Sequence, residues 1–316
     1  AYEISACLVG SEMCIRDRDN GKLVILDGAM GSELEKNGAQ MDKKLWCGTS
    51  SIKFPEIVKK VHEDYIKAGV DVITTNTYAS TPISMKSYGF ENSIEEYNKK
   101  SVLIAKEAVE NSKKDIAIAG SVSASGSFFK LGIKTMIPNF NEQLKILTEE
   151  GVDLIILEAM SSQAEIVQAM IECSTKVKVP VWLAISRVID NDSNEIMLGY
   201  NDSMDTPPEV YENFQKSLKK FSQLHKSPIL IAHSNIDVTG KAIKIAKKNF
   251  NGIIGAYPNV GFYEKPHWIY EDNMKPEDFL IQAKSWVESG SQIIGGCCGI
   301  GPVSYTHLTL PTKRIV

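Results

Sequence analysis

The sequence predicts a single α/β domain folded as a (β/α)8, or TIM, barrel, and three observations predict it. Eight short apolar runs recur along the chain, each nearly continuous in hydrophobicity, as strands buried on both faces require. Helical patterns fill the intervals, and strands alternating with helices imply parallel βαβ units. No linker, long repeat or low-complexity stretch interrupts residues 19–302, and barrels of this kind use ~250 residues as one domain. An open doubly wound sheet is the alternative architecture; eight units without an evident switch point argue against it.

In chain order the predicted strands are "KLVILD" (22–27), "VDVITTN" (70–76), "IAIAGSV" (116–122), "VDLIILE" (152–158), "VPVWLAI" (179–185), "PILIAH" (228–233), "GIIGAY" (252–257) and "SQIIGG" (291–296). The segment "KFPEIVKKVHEDYIKAG" reads as the first helix, with Pro55 at its first turn, Gly69 as its stop, and Ile57, Val58, Val61, Tyr65 and Ala68 along one face. His62 on that helix is expected to be solvated or to pack between helices. Ser93 with Glu96, Ser162 with Glu165, and Thr206 with Glu209 have capping-box spacing, the last followed by Pro207. "DVTGKAIKIAKKN" and "KPEDFLIQAKSWVESG" supply later helices, and the eighth is truncated or replaced by the C-terminal tail.

Both ends stand apart. "SACLVGSEMCIRDR" and "VSYTHLTLPTKRIV" match no periodicity and resemble translated adapter sequence. Residues 1–18 and 303–316 are therefore set aside from fold reasoning as artefact segments, with a genuine chain expected to be cut short just after Pro302.

The remaining bounds come from composition. A formal net charge of -4 over 316 residues gives no electrostatic case for nucleic acid or an anionic membrane. No apolar run reaches the roughly 18 residues of a spanning helix. Six cysteines in a chain this long do not form a disulfide framework. A reducing, cytoplasmic setting is expected, where paired cysteines point to metal or catalysis.

Active sites of such barrels gather at the carboxyl ends of the strands. Those ends carry Asp27-Gly28, Asn76-Thr77-Tyr78, Ser121, Glu158, Ser186-Arg187, His233-Ser234-Asn235, Tyr257-Pro258-Asn259 and Cys297-Cys298. Vicinal cysteines rarely bond to each other, because the linking geometry is strained. Between glycine pairs they read as two thiolate ligands of a zinc ion on a sharply bent loop. The alternatives are a pair of small buried apolar residues or a glycine cradle for phosphate, which needs no thiols.

With those residues in place the chain resembles the homocysteine S-methyltransferases. The likeness runs in order through "DGAMGSEL" (27–34), "GVDVITTNTY" (69–78), "AGSVSASG" (119–126), "GVDLIILEAM" (151–160), "YPNVG" (257–261) and "GGCCGIGP" (295–302). It implies methyl transfer from a small-molecule donor, S-methylmethionine or S-adenosylmethionine before a betaine or a corrinoid protein, to the thiol of homocysteine, forming methionine. It implies Zn2+ as cofactor, with Cys297 and Cys298 as ligands and an open position for the substrate sulfur. Asp27 and Glu158 match the acidic residues that receive the substrate amino group, and Gly28 lets backbone amides approach its carboxylate. Tyr78 matches a pocket-facing tyrosine and reads equally as a core aromatic; Asn259 joins the substrate-binding set or only fixes a tight turn.

The departure lies at the sixth strand. Family members carry an asparagine–cysteine pair where this chain has His233 and Ser234. A serine hydroxyl stays protonated near neutral pH and is a poor zinc ligand. His233 has a suitable nitrogen, but strand alternation turns it to the opposite side unless a bulge intervenes. Cys47 lies in a loop and Cys173 in a helix, so neither substitutes well. The third-strand loop "SVSASGSFF" also lacks the usual proline and tyrosine, and Ser32 replaces a usual threonine. Two further readings stay open: a methyltransferase for a different acceptor, and a non-catalytic amino-acid- or thiol-binding paralogue with an incomplete metal site.

Overall fold

The computed structural model describes residues 23–124, 131–160, 164–189, 193–199, 212–264, 267–269 and 274–308. Eight parallel strands form one sheet: β1 (Val24–Ile25), β2 (Val72–Thr74), β3 (Ala117–Ser123), β4 (Leu154–Met160), β5 (Val181–Ile189), β6 (Ile229–Asn235), β7 (Ile254–Asn259) and β8 (Ile293–Ile294). Each pairs with its neighbour in chain order, and β8 returns to β1 through Val24 opposite Ile293. A parallel bridge between Leu26 and Val72 joins β1 to β2, so the sheet closes into the barrel that the sequence predicts.

Burial on both faces explains the continuous apolar runs. Leu26, Val72, Ala117, Ala119, Leu154, Ile156, Trp182, Ala184, Leu230, Ala232, Tyr257 and Ile293 fill the interior. Alternate residues such as Ile118, Ile155, Leu157, Leu183 and Ile231 face the surrounding helices. Ala232 opposite Tyr257 lets a small and a large side chain interdigitate in a narrow lumen.

Among the described residues seven helices of three turns or more cover the strands: α1 (Pro55–Ala68), α2 (Ile94–Ser112), α3 (Ile133–Glu149), α4 (Ala164–Ser174), α5 (Phe214–Leu224), α6 (Ile236–Asn249) and α7 (Pro276–Glu288). Pro55 opens α1 and Gly69, at φ 95°, ends it. Val58, Val61 and Tyr65 face inward as the pattern requires, while Ile57 and Ala68 are only partly covered. His62 is fully buried, neither ring nitrogen has a partner, and burial pushes its pKa down to about 4. The helix-packing expectation therefore holds for it and the solvated one does not.

Helix starts depart from the capping reading. Ser93 flanks α2 but its side chain makes no capping bond. Ser162 and Thr206 lie outside the described residues. Before α5 the cap is Asn213, whose side chain accepts the Lys216 N–H at 3.2 Å. Short antiparallel strands, Ile196–Leu198 and Glu212–Asn213, extend the end of β5. Among the described residues no helix is long and apolar enough to cross a membrane.

After β8 the described chain forms a 3-10 turn, Pro302–Tyr305, where an eighth helix would begin. Tyr305 and Leu308, set aside in the sequence, are buried here, with Tyr305 edge-on to Tyr65 at 5.7 Å and tilted against Phe279 at 5.4 Å. The Tyr65 hydroxyl stands 3.1 Å from both the Ala29 and Ile300 carbonyl oxygens and donates between them. It thereby pins the loop after β1 to the loop after β8. Tyr65→Phe is expected to cost about 1–2 kcal/mol, because it removes a buried hydrogen bond that the Ala29 and Ile300 carbonyls share; urea melts of the variant and the parent measure it.

Candidate active site at the barrel mouth

The loop after β8 is folded back onto β7. Cys297 N–H donates to the Pro258 carbonyl at 2.6 Å, and Val260 N–H donates to the Cys298 carbonyl at 2.8 Å. Gly299 sits at φ 81°, and a Cβ there would lie 2.3 Å from the Val260 carbonyl oxygen. Only glycine permits that bend, which answers why the cysteines are flanked by glycines. A Cβ on Gly28 would likewise strike the Ile300 carbonyl oxygen at 2.4 Å, so the loops after β1 and β8 touch backbone to backbone.

This folding presents two reduced thiols side by side. The Cys297 and Cys298 sulfurs are 3.9 Å apart and not bonded. Burial first, then the Cys298 sulfur and the Glu158 charge, push the Cys297 thiol well above its ordinary pKa. Cys47 is also buried; burial and then the neighbouring Cys298 raise its pKa.

Two buried carboxylates lie at the same mouth, and the Glu158 charge acts on Cys297. Asp27, at the end of β1, is fully buried. Thr74 holds it twice, its N–H donating to Oδ2 at 2.6 Å and its hydroxyl to Oδ1 at 2.7 Å. Burial raises the Asp27 pKa to about 7 against those two hydrogen bonds, and the Glu158 charge adds to the rise. The sequence reading did not single out Thr74; the paired threonines ending "VITTN" were its only signal. Glu158, near the end of β4, is buried with Oε1 unpartnered and Oε2 3.7 Å from the His233 Nε2. A register slip between Leu157 and Met160 and a φ of 53° at Ala159 kink the strand just past it.

The same device recurs on β6. Ala232 opposes Tyr257 and Asn235 opposes Asn259, so three steps of β6 span two of β7. His233 within that bulge has φ 43°, a left-handed conformation uncommon for non-glycine residues. Its Nδ1 lies 3.2 Å from the Cys297 sulfur. The imidazole is flanked by Tyr78, ring centroids 5.6 Å apart, and by Tyr257 at 6.0 Å. Ser234 takes a different course: its hydroxyl donates to the Ala232 carbonyl at 2.7 Å and accepts the Arg187 N–H at 2.8 Å. The Arg187 side chain leaves the mouth altogether, its guanidinium 3.7 Å over the Phe214 ring at the start of α5.

Tyr78 also meets Trp46 edge-on at 6.5 Å, which brings the long loop after β1 to the barrel mouth. Asn259 is buried with its Oδ1 unpartnered. Asp27, Glu158, Tyr78, His233, Cys297 and Cys298 thus share one mouth, with Asn259 on the strand to which the cysteine loop is tied. The third-strand loop beyond residue 124 lies outside the described residues.

Zn–S bonds of about 2.3 Å at a tetrahedral angle place two sulfurs about 3.8 Å apart, and the observed 3.9 Å fits two such ligands. Among the described residues no three His, Cys, Asp or Glu side chains are already gathered as an assembled metal site.

A closed parallel barrel with adjacent thiols and buried carboxylates at its carboxyl mouth defines a small-molecule enzyme with sulfur chemistry. Residues 24–308 match the family model described as homocysteine S-methyltransferase, and the chain belongs to that family of S-methyltransferases. It is 29% identical to homocysteine S-methyltransferase 3 of Zea mays, over 95% of this chain and 94% of that protein. It is 26% identical to selenocysteine Se-methyltransferase of Brassica oleracea var. italica, over 94% and 91%. The metallated form of the homocysteine methyltransferase MmuM from Escherichia coli shares the fold, with TM-score 0.71, 19% identity, and 94% of this chain and 98% of that one covered.

Proposed function

We propose that the chain transfers a methyl group from a small-molecule sulfonium donor, S-methylmethionine or S-adenosylmethionine, to the thiol of homocysteine, forming methionine, and that it does so with zinc held by Cys297 and Cys298. The observation that carries the reading is the pair of reduced thiols, 3.9 Å apart, set against the buried carboxylates Asp27 and Glu158. Membership of the family and the description of the Escherichia coli structure as metallated support it. Adjacent free thiols also suit the reducing, cytoplasmic setting that we propose for the protein.

The residues divide the work. The unpartnered Glu158 Oε1 and the Thr74-held Asp27 form a cup for the substrate ammonium, which offsets the cost of burying their charge. Orienting the amino acid from that end aims its sulfur at the cysteine loop, and holding both reactants in line supplies much of the rate. Zinc, when bound, lowers the pKa of a coordinated thiol so that it is a nucleophile near neutral pH. Tyr78 and Trp46 cover the mouth and keep water from a cationic donor, whose positive charge suits aromatic faces. The acceptor thiol gives its proton to solvent, its sulfur forms a bond to the methyl carbon as the methyl–sulfur bond of the sulfonium breaks, and the donor leaves as a neutral thioether.

The test is methionine formation from homocysteine with each donor in turn, alongside zinc content. Turnover with at least one sulfonium donor and one zinc per chain is expected; inactivity with every donor despite bound zinc defeats the proposal. Selenocysteine belongs in the same assay, because a selenocysteine methyltransferase is among the similar proteins.

A further inference from the structure

We propose that His233 is the third protein ligand of the metal, through Nδ1, in place of the strand-six thiol, so that the donor set is one imidazole and two thiolates. The inference rests on the metal-bearing reading above and specifies the site that reading leaves incomplete.

Regular alternation along β6 would turn His233 away from the lumen, since Ala232 before it faces inward. The bulge reverses that. One extra residue between Ala232 and Asn235, with His233 at φ 43°, brings the imidazole to the side of the sulfurs. Backbone strain of this kind persists where the surroundings over-determine it and clusters at functional sites. Here Tyr78 and Tyr257 flank the ring on two sides.

Distances agree with the role. Nδ1 is 3.2 Å and Nε2 3.9 Å from the Cys297 sulfur. Nitrogen and sulfur ligands on one tetrahedral zinc stand about 3.6 Å apart, so the Nδ1–Cys297 pair is within a few tenths of an ångström of that spacing, and metal binding has to draw the three groups together. The far side of the ring completes the pattern. A metal-bound histidine nearly always gives its other N–H to a carboxylate, a carbonyl or water, which fixes its tautomer. Nε2 lies 3.7 Å from the Glu158 Oε2. That is outside hydrogen-bond reach, so we assign Glu158 as a positioning residue whose Oε2 takes the imidazole N–H once the ring settles onto the metal, while Oε1 remains for the substrate. Ser234 is spent elsewhere, both hydroxyl roles being filled by Ala232 and Arg187. Two thiolates and a neutral imidazole also balance the charge of a divalent ion.

X-ray absorption at the zinc edge of the full-length, zinc-loaded protein, and the visible spectrum after cobalt substitution, read the donor set without reference to activity. Two sulfur scatterers and one imidazole are expected. His233→Asn keeps a residue that tolerates the left-handed backbone; it should lose the imidazole signature and weaken zinc binding, by competition with a chromophoric chelator, at least tenfold. Ser234→Ala should change neither. Glu158→Gln should weaken zinc by about 10–100-fold with the imidazole signature retained. Three sulfur scatterers without imidazole, which would draw in Cys47, overturn the inference, as does His233→Asn with wild-type affinity and zinc still lost on Cys298→Ala; the metal-bearing reading survives both. Wild-type protein that takes up no zinc defeats that reading itself, and this inference with it.

Discussion

Cys298→Ala is expected to strip the protein of its metal and lower kcat/KM for homocysteine by about a thousandfold. The size follows from two losses. An uncoordinated thiol with a pKa near 8.5 is only a few per cent thiolate at pH 7, which alone removes about 30-fold. Misplacing the sulfur by about an ångström removes about another 10²-fold. Stability of the metal-free protein should change little, because alanine fits where a small, 8% exposed cysteine stood and the loop is held by backbone bonds from Cys297 and Val260; the zinc-loaded parent melts higher than the variant by the stabilisation its metal supplies. Zinc content, kcat/KM and thermal melting together decide it. A variant that keeps zinc and stays within tenfold of the parent rate would mean that the two sulfurs are core packing, the alternative their buried position always offers.

The sulfurs, carboxylates and strand order were readable because each depends on local pattern. Continuous apolar runs mark strands covered on both faces, and in a parallel barrel the residue after each run falls at the mouth. Asp27, Glu158 and Cys297 are located by that rule alone. What the pattern misses is anything that breaks period two. The bulges at Ala159 and His233 come from backbone pairing with neighbouring strands, and no residue in "LEAM" or "AHSN" announces an extra step. His233 and Ser234 therefore trade the places that alternation assigns them. Thr74 escaped for a related reason: its importance comes from facing Asp27 across the closing strands, 47 positions away in sequence. Capping failed at Ser93 because spacing permits a hydrogen bond that the approach of the chain does not make.

Asp27 carries the second large effect, and its sign can be worked out. In the unfolded chain its pKa is near 3.8, whereas burial raises it to about 7 in the fold. Between those values the native state holds a proton that the unfolded state has released. Stability of the metal-free, substrate-free protein is therefore highest below pH ~4 in this contribution and falls as pH rises to ~7, by on the order of 4 kcal/mol. Asp27→Asn keeps an acceptor for the Thr74 N–H and removes the buried charge, so its stability should be flatter over that window and greater than the parent's at pH 8. The same change removes a carboxylate from the ammonium cup, and losing one partner of a buried ion pair costs about 3–5 kcal/mol, a fall in kcat/KM of more than about 10²-fold. Homocysteine should also stabilise the parent more at pH 8 than at pH 5, because its ammonium draws the Asp27 pKa back down. Urea melts from pH 4 to 8, with and without homocysteine, separate these terms. Parallel stability curves for parent and variant would show that Asp27 does not carry the charge whose burial the mouth must offset.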